Sequence, residues 1–82
     1  MTVKREKTRL VVDIHGLRTQ QAQNRLEDLI SMSDKEIREI VVIHGCNGGT
    51  ALRDTVRALR HPRIKTIRPD YFNDGQTILT LQ

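Results

Sequence analysis

The sequence predicts a small α/β domain of order βαβαββ, a two-layer sandwich in which two helices cover a small mixed four-stranded sheet. Two observations carry this expectation. The β-branched runs Val11-Val12-Asp13-Ile14 and Val41-Val42-Ile43 each close on His-Gly, at His15-Gly16 and His44-Gly45. Each run is then followed by an amphipathic stretch whose apolar residues recur at helical spacing. Strands that each lead into a helix are normally parallel, with their carboxyl ends on one edge of the sheet. Open α/β sheets hold their ligands at that edge. The two imidazoles are therefore expected at one cleft, although they lie 29 positions apart.

The elements follow in order. Residues 1–8 are polar and charged, and are expected to form a flexible basic arm ahead of a domain over residues 9–82. Residues 10–14 form the first strand. Thr19 is the expected cap of the first helix, whose stripe is Ala22, Leu26, Leu29 and Ile30. Residues 31–35 make its exit loop and residues 38–43 the second strand. Residues 45–49 are a glycine-rich loop, with Thr50 as the expected cap of the second helix. That helix carries Ala51, Leu52, Val56 and Leu59 on its apolar side and ends before Pro62, which cannot continue it. Residues 64–68 read as the third strand, residues 69–75 as a turn-rich loop, and residues 76–81 alternate as the fourth.

Eighty-two residues support one modest core. Tyr71 and Phe72 are the only aromatics, so that core is aliphatic, and the platforms on which single-stranded bases usually stack are scarce. No apolar run reaches the length of a membrane span or a signal peptide, which argues against a membrane partner. The single cysteine, Cys46, excludes an intramolecular disulfide and a cysteine-built zinc site, and fits a reducing cytoplasm. The net charge of +4 is uneven: residues 1–18 carry five basic against two acidic side chains, residues 19–40 three against five, and residues 41–82 six against three. A basic excess outside the first helix suits a polyanionic partner, and equally a solvated basic surface.

Three features bear on chemistry. Asp13 and His15 are two apart on a strand, so their side chains share one face. A carboxylate beside an imidazole orients the ring and fixes its tautomer, the arrangement from which histidine acids and bases are built. The loop His44-Gly45-Cys46-Asn47-Gly48-Gly49-Thr50 lets the backbone turn sharply and approach an oxyanion such as a phosphate closely. It lacks the Lys-Ser or Lys-Thr of a P-loop, so a nucleoside triphosphate or other small-molecule cofactor is not expected. Arg53, Arg57 and Arg60 recur at i, i+4 and i+7, a basic stripe able to track phosphates, with Arg18 a further cation near the first His-Gly. No spacing is diagnostic of a metal site; Asp13 is the one obvious carboxylate at the edge for a divalent ion such as Mg.

These residues also carry a family resemblance. Val12-Asp13-Ile14-His15-Gly16-Leu17 resembles the "LDLHG" motif of the small MutS-related (Smr) domain. Val42-Ile43-His44-Gly45, the glycine loop and Leu52-Arg53 resemble its "HGxG…LR" motif, and Asp74-Gly75-Gln76-Thr77-Ile78-Leu79-Thr80-Leu81 its closing turn and strand. The likeness covers nearly the whole chain after residue 8. Asn47 stands where the motif has its second glycine, and the loop is one residue longer before Leu52-Arg53. The resemblance implies a fold similar to the carboxyl-terminal domain of bacterial translation initiation factor three. It also implies nucleic-acid binding and, in many members, endonuclease activity of the nicking kind, in a DNA repair or recombination setting. Asp13, His15 and His44 would then be catalytic, with Gly45 and the loop residues Asn47, Gly48, Gly49 and Thr50 contacting phosphate; Arg18, Arg53, Arg57 and Arg60 are the candidate phosphate contacts outside the loop, read from charge and spacing. DNA is favoured over RNA on the resemblance alone. The alternatives are an RNA endonuclease, a non-catalytic module for structured DNA or RNA, and a protein-interaction domain using the last strand.

Overall fold

The computed structural model describes residues 1–45 and 50–82. Its elements are β1 (Thr2–Glu6), β2 (Arg9–Asp13), α1 (Thr19–Met32), β3 (Glu39–Ile43), α2 (Ala51–Arg57), β4 (Ile64–Pro69) and β5 (Gln76–Leu81). They form one five-stranded sheet of order β1-β2-β3-β5-β4. β2 and β3 are parallel, as the repeated strand-to-helix pattern requires, with Val12 opposite Val42 and Asp13 opposite Ile43. β5 is antiparallel to both β3 and β4, so β4 runs parallel to β3. Both crossovers thus join parallel strands in the same direction across the sheet, and right-handed connections place both helices on one face.

That face holds the core. Leu10 and Val12 of β2, Ile40 and Val42 of β3, and Leu79 and Leu81 of β5 alternate inward against Ala22, Leu26 and Ile30 of α1 and Val56 of α2. The core is aliphatic throughout. Arg63 fastens one end of it: its guanidinium donates to the carbonyls of Ile30 (3.1 Å) and Ser33 (2.7 Å), which no turn of α1 continues beyond. Free carbonyls at a helix end need partners, and a cation suits the negative end of the helix dipole.

Three expectations are corrected. The sheet has five strands rather than four, because Thr2–Glu6 is an edge strand antiparallel to β2 and not a flexible arm. Charge-rich strands are tolerated at edges, and this one is bound by its charges. Arg5 reaches Asp34 (2.7 Å) and Glu36 (3.4 Å) in the loop after α1, and Glu6 pairs with Arg9 at 2.7 Å. Those pairs hold the Asp34 and Glu6 carboxyls below the usual carboxylate range, through hydrogen bonds from Arg5 and Arg9 respectively. Arg5 and Arg9 are therefore engaged with carboxylates. Second, α1 starts one residue earlier than expected. Arg18 occupies the cap position, its amide donating to Gln21 Oε1 at 3.2 Å, and Thr19 is already helical. Third, α2 ends at Arg57, so Arg60 lies beyond it and the three-arginine stripe reduces to Arg53 and Arg57. The Ala58 and Leu59 amides turn back on Thr55 (3.3 Å) and Val56 (3.2 Å), tightening the chain before Pro62. Thr50 does cap α2 by position, without a side-chain bond.

Candidate functional site

The carboxyl ends of β2 and β3 lie side by side, joined beyond the strands by the Ile14 amide donating to the Ile43 carbonyl at 2.9 Å. Each chain then leaves through its glycine: Gly16 at φ +83° and Gly45 at φ +82°, a left-handed conformation that side chains rarely adopt. This is why both strands close on His-Gly. The two turns are neighbours, since a Cβ on Gly45 would lie 3.8 Å from His15 Cβ. The β4–β5 loop completes the edge: the Gly75 carbonyl accepts from the amides of both His44 (2.9 Å) and Gly45 (3.0 Å).

Asp13 and His15 meet, but with His15 in the turn beyond β2 and not on the strand as expected. Asp13 Oδ1 accepts from His15 Nδ1 at 2.5 Å and from the His15 backbone amide at 3.0 Å. A carboxylate only accepts, so Nδ1 carries a hydrogen, and in the neutral ring Nε2 keeps the lone pair. The His15 side chain is 72% exposed, so Nε2 is open to a ligand or to water. Burial works to raise the Asp13 carboxyl, but the ring and amide hydrogen bonds from His15 outweigh it, and the carboxyl sits below its ordinary value. Asp13 therefore stays ionised and keeps the ring oriented.

His44 is placed differently. It is 5% exposed, and both ring nitrogens are engaged within the protein. Nδ1 bonds its neighbour's Gly45 carbonyl at 2.9 Å, and Nε2 bonds Thr77 Oγ1 at 2.9 Å. The carbonyl can only accept, so Nδ1 donates. The Thr77 hydroxyl also accepts from Arg57 Nε at 3.2 Å. A relay thus runs Arg57, Thr77, His44, Gly45 carbonyl. The two histidines share an edge of the sheet, but among the described residues only His15 of the two presents a ring nitrogen without a protein partner there. The relay runs through Thr77, fully buried in β5, which the sequence reading did not single out. A threonine in an alternating strand looks like any β-former, and its partners are 33 and 20 positions away.

Beside this edge lies a cleft lined by Gly45, Thr50, Arg53, Arg57, Pro69, Asp70 and Asp74. Arg53 leans toward Asp54 (3.3 Å) but is exposed enough to exchange it for a phosphate. The expected phosphate contacts Asn47, Gly48 and Gly49, with Cys46, lie outside the described residues. Arg18 is exposed at the start of α1, and Arg60 is exposed beyond α2; neither lines the cleft. Among the described residues no three His, Cys, Asp or Glu side chains converge as metal ligands. The third histidine, His61, stands apart. Its Nδ1 accepts the Arg63 amide at 3.1 Å, so its Nε2 donates to Ser31 Oγ at 2.9 Å. That hydrogen direction ties α1 to the segment after α2 and leaves the serine unactivated.

Fold and site together define a small α/β domain with an Asp-oriented imidazole and a two-arginine cleft at the carboxyl edge of its sheet. A family model, the Smr domain, matches residues 12–81, and the chain belongs to that family. Smr domains are in general nucleic-acid-binding and nicking modules. Among solved structures, the Smr domain of MutS2 from Thermus thermophilus shares the fold. The match has a TM-score of 0.78 at 22% identity, covering 88% of this chain and 96% of that one. No curated protein matches the chain in sequence.

Proposed function

We propose that the domain is an endonuclease that hydrolyses phosphodiester bonds internally, nicking DNA with little sequence preference. The observation that carries this reading is the Asp13–His15 pair, which leaves an outward-facing Nε2 beside a cleft whose α2 wall carries Arg53 and Arg57. Nε2 takes a proton from water as the water oxygen bonds to phosphorus. The sugar oxygen leaves and is protonated from solvent. Arg53 and Arg57 offset the charge that develops on the phosphoryl oxygens. His44 acts at one remove, by fixing the Gly45 carbonyl and with it the turn against which His15 rests. Phosphate contacts dominate, which favours tolerance of base sequence.

Supercoiled plasmid incubated with pure wild type and His15→Ala is the test. General acid–base catalysis of this kind contributes about 10² to 10⁴-fold, and the variant loses nicking by that factor while staying folded. Equal nicking by both proteins would remove the catalytic assignment. A second reading, binding without cleavage, draws on the engagement of both His44 nitrogens, which leaves the site one free imidazole instead of two. Binding that survives Asp13→Ala and His15→Ala, with neither DNA nor RNA cut by wild type, would decide for it.

A further inference from the structure

The chain's two aromatic residues are adjacent, and neither is in the core. Tyr71 is 81% exposed and Phe72 fully exposed, at the tip of the β4–β5 loop. The loop is built to hold them out. The Phe72 amide donates to Asp70 Oδ1 (3.0 Å), the Asn73 amide to the Asp70 carbonyl (3.1 Å), and the Gly75 amide to Asn73 Oδ1 (2.9 Å). These side-chain-to-backbone bonds fix a turn locally, without help from packing. The same loop forms one wall of the arginine cleft through Pro69, Asp70 and Asp74, facing Arg53 and Arg57 of α2.

We propose that Tyr71 and Phe72 form a stacking platform for an unpaired base of the nucleic acid whose phosphate lies in the cleft. The proposal rests on the phosphate-binding reading above and adds a substrate class to it: strands with unpaired bases rather than uninterrupted duplex. A flat exposed ring recognises the face of a base, which is hidden inside a duplex stack and available in a single strand. The charges set the orientation. Asp70 and Asp74 repel phosphate from the loop and Arg53 and Arg57 attract it, so a nucleotide lies with its phosphate toward α2 and its base toward the rings. The scarcity of aromatics in the sequence thus hides their concentration at one point.

Tyr71 is the only tyrosine and the chain has no tryptophan, so the protein's intrinsic tyrosine emission reports this loop alone. Wild type is titrated with oligothymidylate of about twelve nucleotides, within the span of one single-strand site, and with a blunt duplex of equal length. The expected results are quenching by oligothymidylate and not by duplex. Phe72→Ala, at a fully exposed position, should weaken oligothymidylate binding roughly 5- to 100-fold and leave duplex binding unchanged. Unchanged emission at saturation, with equal affinities for Phe72→Ala and wild type, would overturn the platform and leave the phosphate-cleft reading standing. Binding of neither oligonucleotide by wild type at low salt would remove that reading and the platform with it. Loss of binding to phosphatidylcholine vesicles in Phe72→Ala, with oligothymidylate binding intact, would assign the loop to a membrane surface and overturn the proposal.

Discussion

Thr77→Val tests whether the buried relay positions the site. The substitution keeps the shape of the side chain and removes the hydroxyl, so no cavity is made in β5. Two hydrogen bonds are lost, and they differ in worth. Arg57 is exposed and replaces its 3.2 Å contact with water at little cost. His44 is 5% exposed, and its Nε2 is left inside the protein without a partner. An unsatisfied buried polar group costs about 1–3 kcal/mol. In a domain of this size each kcal/mol shifts the Tm by roughly 4–8 °C, so thermal unfolding followed by circular dichroism should move down by roughly 5–20 °C. With Nε2 no longer anchored to β5, the His44 ring holds the Gly45 carbonyl less firmly and the turn beside His15 loosens, so plasmid nicking at a temperature where the variant is folded should fall roughly tenfold to 100-fold. Thr77→Ser, which keeps the hydroxyl, should retain the wild-type ring signature of His44 in long-range ¹H–¹⁵N spectra, with Nδ1 protonated. A Tm within about 1 °C of wild type for Thr77→Val, together with unchanged nicking, would refute the relay as a positioning device.

Three further outcomes are expected. The Asp13 carboxyl lies below its unfolded value of 3.8 in the folded protein, so its contribution to stability is present above that pH and lost as pH falls through the folded value. Asp13→Asn should therefore flatten the acid limb of stability against pH; an unaltered limb in denaturant titrations would contradict the pairing. Replacing Arg53 and Arg57 together by Gln should reduce the log–log salt slope of duplex binding by roughly 1.8, and an unchanged slope would place the phosphate path elsewhere. Lys7 sits at φ 59° in the two-residue connection between β1 and β2, a position where glycine is the usual occupant. Lys7→Gly should raise stability by about 1 kcal/mol, and a lower Tm would show that the lysine is not strained there.

The parts of the fold written in short-range pattern were legible. Both His-Gly closures, the stripe Ala22, Leu26 and Ile30, and the alternation of Gln76–Leu81 are local signals, and each marks the element it suggests. β1 was not legible because its turn carries Lys7 and Thr8 instead of a glycine or asparagine signal, and because the partners of Arg5, Asp34 and Glu36, lie far along the chain. The site divides the same way. Asp13 and His15 are two residues apart, and the local turn that leaves β2 folds His15 back onto the Asp13 carboxylate. Burial of His44 depends on Thr77, and the clamp on α1 depends on Arg63, which follows a proline and looks like any surface cation. Such partners are set by how distant segments pack, and no local spacing encodes them.

Because β5 enters the sheet between β3 and β4, the last of the domain's strands in sequence is an interior one. Until residues 76–81 have been added, β3 keeps one ladder edge open and β4 has nothing to pair with, a species exposed to mispairing. The residue just before that strand, Gly75, provides the carbonyl that holds His44 and Gly45. Closing the sheet and assembling the turn beside His15 are consequently one event. A growing chain carries Asp13 and His15 early but lacks the architecture around them until translation of the domain is nearly done. On the proposed nuclease reading, this order of synthesis withholds cutting activity from every unfinished copy.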